Sequence, residues 1–288
     1  MSPRLAAWGA ALLTLLVHSS AVFGEFVYDD HRFVEENPAV RSASDPVRFF
    51  MDPSTTASPA RPAYTIYRPL RTLSYALLGS LGAEGPKAYH WLNILLHALA
   101  VGLLVRLLLA AGSVPLGAFV AALCFGLHPR TVEVAAQISA LGDGIAFVCV
   151  LASLLAHAKG RRVWAFAFFT VGLFGKEHAL IAPLLWGCWD FALERERLRS
   201  TLLRAVLPGL ALCGAFLLWR RHLGVIPQLE EPLGGSHVNA VLTMLSGLAF
   251  YASGILFPAA PTVGAEVVVQ TGVTLPVLLG LATLGALV

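Results

Sequence analysis

The sequence predicts an all-α, polytopic membrane protein of about nine spans with a long first extracytoplasmic loop. Three observations carry that expectation. Of 288 residues, 57% are hydrophobic and only 13% charged, against roughly 25% charged in a soluble domain. The apolar residues gather into long runs instead of spreading along the chain, and lipid is the solvent that tolerates such a surface. The net charge of +3 carries no message of nucleic-acid binding.

The first run, Leu5–Phe23, follows Arg4. Val22-Phe23-Gly24 loosely fits a signal-peptide cleavage site, but the run is long enough to cross a bilayer core of roughly 30 Å. Residues 24–87 form the one long polar segment, with eight acidic residues and seven Lys or Arg. Asp52-Pro53-Ser54 and Ser58-Pro59 are turn signals within it. Short interfacial helices are expected there. Apolar runs then follow at 88–110, 114–127, 142–158, 163–174, 179–193, 201–219, 238–257 and 271–288. Several fall short of about 20 residues, which predicts tilted or broken helices. The last run has no polar flank, the pattern of a truncated helix or a fragment.

Placing Arg4 inside sends Arg106, Lys159, Arg161, Arg162, Arg195, Arg197, Arg199 and Arg204 to the same side. The short loops of the other side receive Arg130, Lys176, Arg220 and Arg221. Excess Lys and Arg marks cytoplasmic loops, so the N-terminus is expected inside. The basic clusters read as topology anchors. Arg outnumbers Lys 17 to 3, a habit of GC-rich genomes that points to a bacterial inner membrane, or to the ER membrane in a eukaryote. Cys124, Cys149, Cys188 and Cys213 all lie in apolar runs without CxxC spacing. They read as small buried hydrophobes.

The same topology sends most chemistry-bearing residues to the outer face. Asp29 and Asp30 follow the first span directly. Neighbouring carboxylates raise each other's pKa, and one poised as a base could take a proton from a hydroxyl. Arg68, in Tyr67-Arg68-Pro69-Leu70, offers a planar fork of donors suited to phosphate. His90, Asn93 and His97 stand at i, i+3 and i+7 on one helical stripe. Their spacing lacks the i, i+4 histidine pair of zinc helices, so no metal site is expected. His128, Glu133, Asp143, Lys176 and Glu177 sit beside apolar sequence. Lys176 and Glu177 read equally as an ion pair or as a phosphate contact.

In order, these segments resemble a known family. The pieces are Phe26-Val27-Tyr28-Asp29-Asp30, Asn37-Pro38, Tyr67-Arg68-Pro69-Leu70 with Ser74, Tyr89-His90 with Asn93 and His97, Leu127-His128-Pro129 with Glu133, then Asp143, then Gly175-Lys176-Glu177. The order is similar to the membrane region of the transmembrane and tetratricopeptide-repeat O-mannosyltransferases and their bacterial relatives, which are GT-C glycosyltransferases. The resemblance runs from about residue 5 to 260. It implies a single GT-C-like domain over 1–288 and an inverting transfer of a sugar, mannose in the eukaryotic members. The donor implied is a polyprenyl- or dolichyl-phosphate sugar and the acceptor a hydroxyl of protein or glycan. It assigns catalysis to Asp29 and Asp30. The proposed scheme gives the leaving phosphate to Arg68, Lys176 and His128, and the substrate cavity to His90, Asn93, His97, Glu133, Asp143 and Glu177. No cofactor is required, and a divalent metal is not favoured, because protein cations offset a monophosphate leaving group.

The chain departs from the family in two ways. Ala140-Leu141-Gly142-Asp143 lacks the arginine that members often carry before this aspartate, and the tetratricopeptide repeats are absent from these 288 residues. Two other readings of the same polar residues are a lipid or solute transporter and a non-catalytic relative acting in assembly.

Overall fold

A computed structural model describes residues 1–63, 65–193, 198–225, 231–257 and 268–287. The described residues are helical and turn structure with no strand. Among the described residues, ten helices of twelve residues or more form the frame: α1 (Pro3–His18), α2 (Pro69–Ser80), α3 (Lys87–Ala110), α4 (Pro115–Gly126), α5 (Leu141–Ala158), α6 (Arg162–Gly175), α7 (Ala182–Leu193), α8 (Leu207–His222), α9 (His237–Leu256) and α10 (Leu275–Leu287). Each apolar run of the sequence overlaps one of them. Among the described residues, five helical segments are long and apolar enough to span: Pro3–Phe23, Lys87–Ala110, Ile138–Ala158, Leu198–His222 and His237–Leu256. A sixth is counted if the broken pair Pro115–Gly126 and Pro129–Ala136 is one span. The protein is a multi-pass membrane protein. Arg195 and Arg197 of the expected inner cluster lie outside the described residues.

The chain divides into two compact units. The first comprises Met1–Leu127 and Thr131–Ile226, the second His128–Arg130 and Pro227–Val288. In the second, α9 packs on α10 so closely that a Cβ on Gly280 would lie 1.9 Å from the Leu245 carbonyl oxygen.

In the first unit, α1 is a packed helix. Ala6, Ala10, Thr14 and His18 repeat at four-residue spacing and are buried, a stripe of mostly small residues that lets helices approach closely. Gly126 of α4 meets that stripe: a Cβ there would lie 2.9 Å from Thr14 Oγ1 and 2.6 Å from Val101 Cγ2.

The polar segment 24–87 is folded. Phe33, Val34, Val40, Ala57, Ala63 and Tyr75 form an apolar cluster with Tyr89, Ile138 and Leu141, so the segment caps one end of the bundle. Asn37 ties its turns together. Its Nδ2 donates to the Phe33 and Thr55 carbonyls at 3.3 and 3.0 Å, and its Oδ1 accepts from Ala39 N at 3.0 Å. Tyr75 donates to the Ile138 carbonyl at 2.7 Å, and Tyr67 to the Phe50 carbonyl at 2.8 Å.

Candidate functional site

At the capped end, α5 and α6 cross on glycines. A Cβ on Gly142 would lie 3.0 Å from the Gly175 carbonyl oxygen, and one on Gly175 would lie 2.7 Å from Ile145 Cγ2. This approach carries the residues just beyond the crossing into an ionic cluster. Lys176 Nζ bonds both Asp143 oxygens at 2.6 and 2.7 Å. His178 Nδ1 stands 3.2 Å from Asp143 Oδ1. Arg68 Nε lies 3.6 Å from Glu177 Oε2. Burial pushes the Glu177 carboxyl up, but its own backbone hydrogen bond and the charges of Arg68, Arg220 and Lys176 outweigh it, and its pKa falls below the usual value.

Arg71 is the residue that the sequence reading missed. It is fully buried, and its Nε and both terminal nitrogens have no hydrogen-bond partner among the described residues. Its guanidinium carbon lies 4.0 Å from the Phe33 ring centroid. Burial lowers its pKa to about 10; Tyr75, Asp29 and Glu177 favour the charged form, while Arg68 opposes it. A buried guanidinium without an acceptor is costly, and such a group calls for an explanation. A sequence signal existed. Arg71 stands three residues after Arg68, at the start of a helix opened by Pro69, so both arginines fall on one face.

The two aspartates divide. Asp30 is fully buried. Its Oδ1 accepts from Ser139 N at 2.7 Å and its Oδ2 from Val27 N at 3.2 Å, while its own N–H donates to the Val27 carbonyl at 2.9 Å. These bonds close a tight turn over Val27–Asp30. Tyr28 sits at its centre with φ +48°, a left-handed conformation uncommon for a side-chain-bearing residue. The turn leaves Asp29 exposed, with its charge acting on Arg61 and Arg71.

The α3 stripe is mostly committed to packing. His97 Nε2 bonds the Gly126 carbonyl at 2.9 Å, and its ring stands edge-on to His18, with centroids 5.1 Å apart. Asn93 Nδ2 donates to the Gln137 carbonyl at 2.5 Å. His90 is buried, and neither ring nitrogen has a hydrogen-bond partner among the described residues. Glu133 is exposed. His128 belongs to the second unit, where its Nε2 lies 3.1 Å from the Ile255 carbonyl oxygen.

The fold and the cluster together define a class: a polytopic helical membrane protein with a folded polar cap, beneath which cations and carboxylates from distant segments converge. Comparison with known proteins sharpens it. The chain is 31% identical over 166 residues to the mouse protein O-mannosyl-transferase TMTC2, covering 57% of this chain and 20% of that protein. It is 31% identical over 182 residues to the human TMTC2, covering 62% and 21%. It is 29% identical over 194 residues to Drosophila melanogaster Tmtc1, covering 63% and 22%. The comparison thus bears out the resemblance to the O-mannosyltransferases that the motifs suggested. The chain spans about a fifth of the length of these curated relatives. No family model matches it, and no solved structure does.

Proposed function

We propose that this chain is the membrane region of a glycosyltransferase that moves a sugar from a polyprenyl-phosphate donor to a hydroxyl, in protein or glycan, at the extracytoplasmic face. The observation that carries this reading is the Arg71 guanidinium, buried without an anion beside Arg68. A lipid phosphate supplies the missing acceptor. Asp29, exposed and within reach of the Arg71 charge, is the base.

In this mechanism the acceptor oxygen attacks the anomeric carbon while its proton passes to Asp29. The bond from that carbon to the phosphate oxygen breaks, and the electron pair leaves with the phosphate, inverting the centre. Charge develops on the leaving phosphate, and fixed cations at that point lower the barrier. Arg71 is the first of them because it has no carboxylate partner, Arg68 the second. Lys176 is already held by Asp143 and acts by fixing the α5–α6 end. Asp30 is a positioning residue: it holds the turn that presents Asp29. The scheme draws its positive charge from protein and calls for no divalent metal. The absent arginine before Asp143 does not remove the phosphate grip, since Arg68 and Arg71 stand where position 142 has no side chain.

The test mixes the protein with a radiolabelled polyprenyl-phosphate sugar and a hydroxyl-bearing peptide. Wild type should transfer label, and Asp29→Asn should be slower by about 100-fold or more, the usual contribution of a general base. Turnover near wild type in Asp29→Asn overturns the assignment.

A further inference from the structure

The end of the bundle opposite the ionic cluster carries a second feature, independent of the catalytic reading. Between α1 and α3 runs a groove of about 770 Å³. Its floor is made of small residues. Gly102 faces α1 so closely that a Cβ there would lie 3.5 Å from Ala11 Cβ and 3.6 Å from the Ala7 carbonyl oxygen. Its walls are large and apolar, among them Trp8, Leu12, Leu99 and Leu103. Trp8 is 77% exposed and Leu99 49%, so the groove opens laterally, toward the lipid side of the helices.

One end of this groove is basic. Arg4, Arg106 and Lys159 line it, and no carboxylate does among the described residues. None of the three forms a salt bridge among the described residues. Burial and the neighbouring charges of Arg106 and Arg161 hold the Lys159 ammonium below its usual pKa, as expected of cations gathered without a counter-ion. Topology anchors need only point into water. These three converge instead on the mouth of an apolar slot.

The dimensions suit one ligand chemistry. From Pro3 to Leu15 the slot follows α1 for about 18 Å at helical rise, close to one leaflet of a hydrocarbon core of about 30 Å. An acyl chain lying along Leu99 and Trp8 would set its headgroup at Arg4, Arg106 and Lys159. Basic pockets between membrane helices hold anionic headgroups in this way. We propose that the α1–α3 groove is a binding site for one membrane lipid with an anionic phosphate headgroup, separate from the site at the other end of the bundle.

The purified protein is titrated with phosphatidylglycerol, phosphatidylcholine or inorganic phosphate, and bound lipid is counted by native mass spectrometry. One phosphatidylglycerol per chain should bind saturably, phosphatidylcholine should bind at least about tenfold more weakly, and phosphate alone should not compete. Arg4→Gln, Arg106→Gln and Lys159→Gln together should weaken phosphatidylglycerol by about 100-fold, from roughly fivefold per cation. Binding of both lipids alike without saturation means boundary lipid only, and overturns the proposal. Competition by phosphate alone also overturns it, because the slot then plays no part. A second measurement uses the unaltered protein: phosphatidylglycerol with a photoreactive acyl chain should label peptides of α1 and α3, and labelling elsewhere rejects the site.

Discussion

A Cβ built on Gly142 would lie 3.7 Å from Arg71 Cδ and 3.4 Å from Arg68 Cδ. The smallest residue of the chain thus stands where two arginine stems and the Gly175 carbonyl converge. Gly142→Val would drive its side chain into a backbone oxygen, the buried Arg71 stem and the half-buried Arg68 stem. The expected loss is about 1–3 kcal/mol, typical of overpacking. Chemical or thermal denaturation in detergent measures it, and a variant as stable as wild type would show that the α5–α6 crossing is loose.

Arg71 should show a trade between stability and function. Its pKa of about 10 lies below the unfolded value of 12.5, so at neutral pH the fold carries the full burden of a disfavoured charge. That burden begins to lift only as pH rises past the folded value and is gone only above the unfolded one. Replacing buried charges by apolar residues of similar size is often stabilising. Arg71→Met should therefore raise the melting temperature even though it loses the contact with Phe33, and it should weaken use of the lipid-phosphate donor by about tenfold or more. A destabilised variant would mean that Arg71 is already well satisfied.

The helices were legible because hydropathy is a local property. Leu5–Phe23, 88–110 and 142–158 each needed only their own residues to declare themselves. Asp29, Arg68, Asp143, Lys176 and Glu177 could be picked out because charge beside apolar sequence is conspicuous. What the sequence concealed depends on tertiary closure. Nothing in Pro69–Ser80 says that Phe33, from the polar segment, will lie over the Arg71 guanidinium, and nothing in residues 27–30 says that the Ser139 amide will arrive to claim Asp30. The polar composition of 24–87 likewise concealed a folded cap, since its apolar cluster is assembled from single residues spread over more than a hundred positions.

The two aspartates should separate by assay. Asp30→Asn replaces an acceptor of two backbone N–H groups with an amide that can satisfy only one through its oxygen. It should destabilise the fold by about 1–3 kcal/mol, the desolvation cost of a buried donor left unmet. Asp29→Asn, at an exposed position, should leave the stability within about 0.5 kcal/mol of wild type. Equal stability of the two variants would contradict the division of roles.

Glu177 sets the acid limit of the cluster. Its folded pKa lies below the unfolded value of 4.5 because backbone hydrogen bonding and the charges of Arg68, Arg220 and Lys176 outweigh burial. A depressed carboxylate contributes stability that is complete above the unfolded value and is lost as pH falls through the folded one. Wild type should therefore lose stability progressively below about pH 4.5, the unfolded pKa of this carboxyl. Glu177→Gln should be less stable at neutral pH and should show a shallower acid limb. Parallel melting curves between pH 3 and 7 make the comparison, and identical slopes would mean that Arg68 and Glu177, 3.6 Å apart, are solvent-screened neighbours without a shared energy.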